Sequence, residues 1–179
     1  MTVIYEDTRQ QIHNGDKHAL KHEWFRQHGI TLVRKKLNFA DYMASGSNIC
    51  VDTKRSVAEI AQNIGGKNHA RFKRECIRAQ DAGYRLVILV ENLNGYTQLS
   101  HVAAWTNTHC RHCNLMRQRV CDPRANGKCL RHKTLKPIQG PRLAKAMSTM
   151  EKRYGVRFEF CKPKNAAKRI CELLGVLDE

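Results

Sequence analysis

The chain has 179 residues, the size of one domain with room for a small insertion, and its 32 Lys and Arg against 16 Asp and Glu give a formal charge of +16. A charge that high points to nucleic acid as the partner, with an anionic membrane surface as the weaker alternative. No apolar run approaches the roughly 20 residues of a membrane span, and Met1-Thr2-Val3-Ile4-Tyr5-Glu6-Asp7 lacks the basic start and long apolar core of a signal peptide, so the expected location is cytoplasmic, in association with DNA.

Val3-Ile4-Tyr5 reads as a first strand ending at Glu6-Asp7. Asn14-Gly15-Asp16 reads as a turn with Asp16 as an N-cap, leading into a helix over 17–28 in which Leu20 and Trp24 mark the apolar side and Gly29 is the stop. A second strand starts at Ile30 and runs towards Leu37, with Asp41 at its end. A short turn through Ala44-Ser45-Gly46-Ser47-Asn48 then leads to the third strand, Ile49–Lys54. Ser56 and Glu59 have capping-box spacing, which predicts a helix over 56–64 broken by Gly65-Gly66. The next helix, over 67–82, carries Phe72, Cys76 and Ala79 as an apolar stripe. Its other face carries Arg71, Lys73, Arg74 and Arg78, and the overall charge assigns that face to DNA.

The run Leu86-Val87-Ile88-Leu89-Val90 reads as a strand covered on both faces. A short helix over 97–105 follows, then a cysteine-rich segment over 107–136. Beyond it come a helix over 140–154 with Pro141 in its first turn, an alternating strand over 156–160, and a helix over 163–174 stopped by Gly175. Strands and helices alternate, so the fold class is α/β: a mixed central sheet flanked by helices. The core is expected to comprise 1–106 and 137–179, with 107–136 inserted.

Four of the eight cysteines (Cys50, Cys76, Cys161 and Cys171) sit in predicted strands or helices and read as small buried hydrophobes. The other four crowd together. Cys110-Arg111-His112-Cys113 is a C-x2-C knuckle, and Cys121 and Cys129 follow, each after seven intervening residues. In a reducing compartment that clustering suits a closed tetrahedral Zn²⁺ site, with His109, His112 and His132 as substitute ligands. Arg117 and Arg119 belong to the segment's basic surface, which would grip phosphates.

The chemistry concentrates over 37–54. Residues two apart on a strand share a face, so Asp52 and Lys54 should project together, with Asp41 brought alongside by the turn. Two carboxylates can hold Mg²⁺ or Mn²⁺, and a lysine beside them can position a water or neutralise charge on a phosphate. Glu59 is read as a helix cap and Tyr42 as a packing residue.

The order Glu6-Asp7-Thr8-Arg9, Ala40-Asp41-Tyr42, Val51-Asp52-Thr53-Lys54, and then an apolar strand ending in Glu91 resembles the XPF-type nuclease domain of the restriction-endonuclease-like PD-(D/E)XK superfamily. The resemblance implies a restriction-endonuclease-like core in which Asp41 and Asp52 bind the metal and Lys54 is catalytic, with Asp7 and Arg9 beside metal and scissile phosphate. This chain departs from the family pattern in four places. Gln10 and Asp52 replace glutamates, Ala40 replaces the glycine of G-D-Y, and Ala58 stands where the family has its last acidic residue. The expected activity is metal-dependent DNA endonuclease cleavage, and the resemblance alone implies branched or flap DNA. XPF-type enzymes add a tandem helix-hairpin-helix domain and dimerise, and the chain ends at Glu179 without room for one. Recognition is therefore expected to fall to the zinc module, a self-dimer or another protein, as would suit a phage or mobile element. The competing readings are a non-catalytic DNA-binding subunit and an RNA-binding zinc-ribbon factor. Retention of Asp41, Asp52 and Lys54 together argues against the first. The absence of aromatic residues over 107–136 argues against the second.

Overall fold

The computed structural model describes residues 2–9 and 18–177. The predicted turn and N-cap at 14–16 lie outside them. Among the described residues, six strands form one sheet in the order β2-β1-β3-β4-β5-β6: β1 Thr2–Asp7, β2 Ile30–Lys35, β3 Tyr42–Ala44, β4 Ile49–Lys54, β5 Arg85–Glu91 and β6 Arg157–Cys161. β1 pairs parallel with β2, and β4, β5 and β6 pair parallel in turn; β3 is antiparallel to both β1 and β4. The sheet is therefore mixed, with β3 as its reversed strand.

Helices cover both faces, and the pleat sorts the core between them. On one face Cys50, Leu86, Ile88, Val90 and Phe158 pack against Val57, Ile60 and Ile64 of α2 (Val57–Gly65), Phe72, Cys76 and Ala79 of α3 (His69–Asp81), and Leu143, Met147 and Met150 of α6 (Gly140–Tyr154). On the other, Ile4, Tyr42, Val51, Val87 and Leu89 pack against Phe25 of α1 (Ala19–Gln27) and Ile170, Cys171 and Leu174 of α7 (Ala166–Leu174). β5 is buried on both sides, as its unbroken apolar run predicts. Full burial of each such aliphatic side chain contributes about 1.5–3 kcal/mol.

The structure departs from the sequence expectations at four places. The second strand ends at Lys35, and Asp41 does not close it; Asp41 instead precedes β3, a three-residue strand too short to show a period. On α1, Leu20 is 68% exposed, and Lys21 and Phe25 face inwards. The stripe is displaced by one residue because Lys21 has a buried partner: its Nζ donates to Glu91 Oε1 at 2.6 Å. The helix expected over 97–105 is a 3₁₀ turn at Leu99–Ala104. Cys161 is half-buried, whereas Cys50, Cys76 and Cys171 are buried. Tyr42 packs in the core and donates to Glu6 Oε1 at 3.1 Å.

The cysteine-rich segment joins the flanking elements through side-chain amides. Gln139 Oε1 accepts from the Asn107 amide at 3.1 Å, and Asn107 Nδ2 donates to the Ile138 carbonyl at 3.2 Å. Gly140 then starts α6 against the 3₁₀ turn. A Cβ there would clash with the carbonyl oxygens of Val102, Ala103 and Trp105, so only glycine fits.

Candidate active site and cysteine cluster

β1, β4 and β5 end at the same edge of the sheet, where the reversed strand β3 begins. That topology gathers Asp7, Lys54 and Glu91 from strand C-terminal ends and Asp41 from just before a strand N-terminal end. A pocket of about 250 Å³ opens there, lined by Asp7, Arg9, Asp41, Asp52 and Lys54 together. All five side chains singled out in the sequence thus meet in one place.

Asp52 is 3% exposed, and its Oδ2 lies 2.5 Å from Lys54 Nζ. Yet Oδ2 receives no directed hydrogen bond from the described residues. It is a buried carboxyl oxygen whose near partner is the Lys54 ammonium, and so a candidate donor atom for a cation. Burial, reinforced by Asp41 and Glu75, pushes the Asp52 carboxyl well above the usual carboxylate range, and Lys54 opposes the shift. Burial works against the Lys54 charge, but Asp52, Asp41 and Glu75 outweigh it and hold the ammonium protonated. Phe72 walls Lys54 in, its ring centre 5.8 Å from Nζ.

Asp41 is aimed by β4: its Oδ2 accepts from the Thr53 amide at 2.9 Å and from Thr53 Oγ1 at 2.6 Å. The preceding residue, Ala40, is in left-handed backbone at φ 62. That conformation costs an L residue about 1–2 kcal/mol. It gives a physical reason for the glycine of the G-D-Y pattern and makes Ala40 a strained substitute.

Asp7 is already engaged. Its Oδ2 accepts from Arg9 Nε at 2.6 Å, and its Oδ1 accepts from the Arg9 and Leu37 amides at 3.3 and 3.4 Å. Arg9 also donates to the Leu37 carbonyl at 2.7 Å. Asp7 therefore holds Arg9 at the pocket edge and offers a cation little.

The basic face of α3 divides. Arg71 and Arg78 line the pocket. Lys73 turns to a separate groove shared with Arg142, Lys145 and Arg153 of α6, and Arg74 is exposed. Between the two pocket arginines stands Glu75, which sequence reasoning missed. The signal was present: 71, 75 and 78 are spaced to share one helix face. Its Oε1 accepts from the Ala40 amide at 3.2 Å. Lys21 also lines the pocket and was not singled out, because Leu20 and Trp24 were read as the inward side of its helix. Glu59 also lines the pocket, but it is the cap it was expected to be: Ser56 Oγ accepts from the Glu59 amide at 3.2 Å, and Glu59 Oε2 accepts from the Arg55 amide at 3.0 Å.

Cys110, Cys113, Cys121 and Cys129 line one small cavity of about 30 Å³, with His109 and His132 at its wall. Two sulfurs receive N–H donors. Gln139 Nε2 donates to Cys110 Sγ at 3.2 Å, and the Met116 and Leu115 amides, at the start of α5 (Asn114–Arg117), hold the Cys113 thiol below its usual range. The donors favour the thiolate at Cys113, whereas burial outweighs Gln139 and pushes the Cys110 thiol up. Among the described residues, no group of three or more His, Cys, Asp or Glu is drawn together tightly enough to form a metal cage by itself. The donor chemistry of both places, two carboxylates in one and four thiols in the other, fits a hard divalent ion and Zn²⁺ respectively. Arg117 and Arg119 are exposed on the cysteine-rich segment and do not line the acidic pocket. No described helix is long and apolar enough to cross a membrane.

The model of the ERCC4 domain family matches residues 7–173. Among solved structures, XPF from Aeropyrum pernix superposes with a TM-score of 0.56 at 18% identity, over 97% of this chain and 60% of that one. The same protein in complex with DNA gives a TM-score of 0.57 at 18% identity, over 98% and 64%. The chain thus spans less than two thirds of the structures it matches, and at this identity the likeness is one of fold. A search of curated protein sequences finds no match.

Proposed function

The chain belongs to the ERCC4 domain family, and from that premise and the pocket chemistry we propose that it is a divalent-metal-dependent DNA endonuclease. The observation that carries the reading is the meeting of Asp41, Asp52 and Lys54 in one pocket, with Asp52 Oδ2 buried and lacking a directed hydrogen bond from the described residues. Asp52 and Asp41 would hold Mg²⁺ or Mn²⁺, Asp41 through the oxygen that Thr53 leaves free. When bound, the ion supplies a Lewis acid for a phosphodiester oxygen and for water. Lys54, fixed between Asp52 and Phe72, holds a proton-bearing cation where negative charge develops on the phosphate. Arg9, Arg71 and Arg78 place positive charge around the mouth and orient the strand. Lys73, Arg74, Arg117 and Arg119 extend the phosphate-binding surface, with flap or branched DNA as the proposed substrate. A self-dimer or another protein would complete recognition. The four-cysteine cavity is proposed to hold one structural Zn²⁺.

The deciding experiment is cleavage of labelled linear, flap, splayed-arm and four-way DNA with Mg²⁺, Mn²⁺ or EDTA. We expect endonucleolytic products only with metal. A protein that binds these DNAs and cuts none of them with either ion is a binding subunit, not an enzyme.

A pH dependence follows from Asp52. A proton and a cation compete for the same carboxylate, and burial favours the proton. Mn²⁺ affinity, measured by calorimetric titration, should therefore rise with pH through the elevated Asp52 range and level off above it. An affinity flat across that range would remove Asp52 from the ligand set.

A further inference from the structure

We propose that Glu75 is a positioning residue, whose carboxylate clamps the Ala40 peptide and so fixes the direction in which Asp41 points. The consequence for turnover rests on the nuclease reading above; the clamp itself stands on geometry.

Ala40 is 2% exposed and held at φ 62. An L residue stays in that region only where its surroundings hold it there. Two contacts do so from opposite sides. The Ala40 amide donates to Glu75 Oε1 at 3.2 Å, across 35 residues of sequence. On the other side of Ala40, the Asp41 amide donates to the Val51 carbonyl at 2.9 Å. β4 thus grips Asp41 from one side, and α3 grips the peptide that leads into it from the other. Without Glu75 the buried Ala40 amide loses its acceptor, and the strained residue loses one of its two restraints.

The placement of Glu75 argues the same way. It stands between Arg71 and Arg78 on the α3 wall that would meet a polyanion. A carboxylate there works against phosphate binding, and its bond to Ala40 gives it a compensating task. The pocket also lacks the family's last acidic side chain, since that position is Ala58. Glu75 brings a carboxylate into the pocket from a different helix.

The test compares the full chain with E75A, E75Q and the double variant E75A/A40G. E75A should lower kcat by about 10- to 100-fold, the scale of a misdirected catalytic group, with KM moved by less than about threefold. E75Q keeps an acceptor oxygen and should recover most of that loss. A40G should also rescue kcat in the E75A background, because glycine takes the left-handed conformation without a clamp. A purely stabilising role for Glu75 would not give that rescue at temperatures where all variants are folded. A second readout is independent of cleavage: hydrogen exchange at the Ala40 amide should be slow in wild type and E75Q and fast in E75A. Equal exchange in all three, or E75Q as slow in turnover as E75A, overturns the clamp. A wild type inert on every DNA defeats the nuclease reading instead, and the Ala40 exchange rates still decide the clamp.

Discussion

Asp52→Asn and Lys54→Ala should each reduce DNA cleavage by about 10²–10³-fold or more, yet should move metal affinity in opposite directions. Asp52→Asn puts a neutral amide oxygen where the site needs a carboxylate, so Mn²⁺ binding should weaken along with turnover. Lys54 is different: it now supplies the positive charge that Asp52 Oδ2 lacks in hydrogen bonds, at 2.5 Å. Removing it leaves Asp52, Asp41 and Glu75 with less compensation. Mn²⁺ should therefore bind tighter to Lys54→Ala while cleavage is lost. Calorimetric titration beside single-turnover cleavage separates the two effects. Weaker Mn²⁺ binding in Lys54→Ala would mean that the lysine organises the site rather than competing for it. Wild-type cleavage rates in both variants would place the chemistry elsewhere.

Removing the proposed zinc, by chelation or by Cys113→Ser, should dismantle residues 107–136 and leave the sheet intact. The segment has almost no core. Val120, Leu130 and Leu135 are exposed, and its helices, α4 (Thr108–Arg111) and α5 (Asn114–Arg117), are four residues each. Helices that short do not persist in water unaided. The proposed metal staple would supply what burial does not. Metal analysis should find about one zinc per chain. Limited trypsin digestion should cut the basic segment at least about tenfold faster after chelation. Thiol labelling should then reach Cys110, Cys113, Cys121 and Cys129. It should spare Cys50, Cys76 and Cys171, which are buried and whose thiols burial pushes up to about 12. A folded sample without zinc, with unchanged digestion for Cys113→Ser, would refute the staple.

Much of this arrangement was legible in the sequence, for identifiable reasons. β5 and the Phe72-Cys76-Ala79 stripe were readable because long periodic or unbroken apolar patterns have few alternative solutions. Asp52 and Lys54 were readable because strand parity is strict. β3 was not, because three residues carry no period; its existence depends on the neighbours that pair with it on both sides. Lys21 was not legible because a buried lysine is exceptional, and its distant partner Glu91 makes it tolerable. Glu75 escaped notice because one acid in a basic row looks like a solvated helix face. What it touches, the Ala40 amide, is a tertiary fact. The strain at Ala40 likewise became visible only once its backbone conformation was known.

The Lys21–Glu91 contact bears on when the protein acquires its pocket. The two residues are 70 apart in sequence, and both are buried at the pocket end of the sheet. Docking α1 before β5 is in place would bury an unpaired ammonium, and inserting β5 first would bury an unpaired carboxylate; either costs several kcal/mol. The pair therefore favours docking of the two elements in one cooperative step that closes a long loop. Native-state hydrogen exchange should show α1 and β5 amides opening as one unit. A chain in which α1 and β5 have opened together loses Lys21 from the pocket lining. On the nuclease reading proposed above, such a chain would gain activity only once the fold is complete.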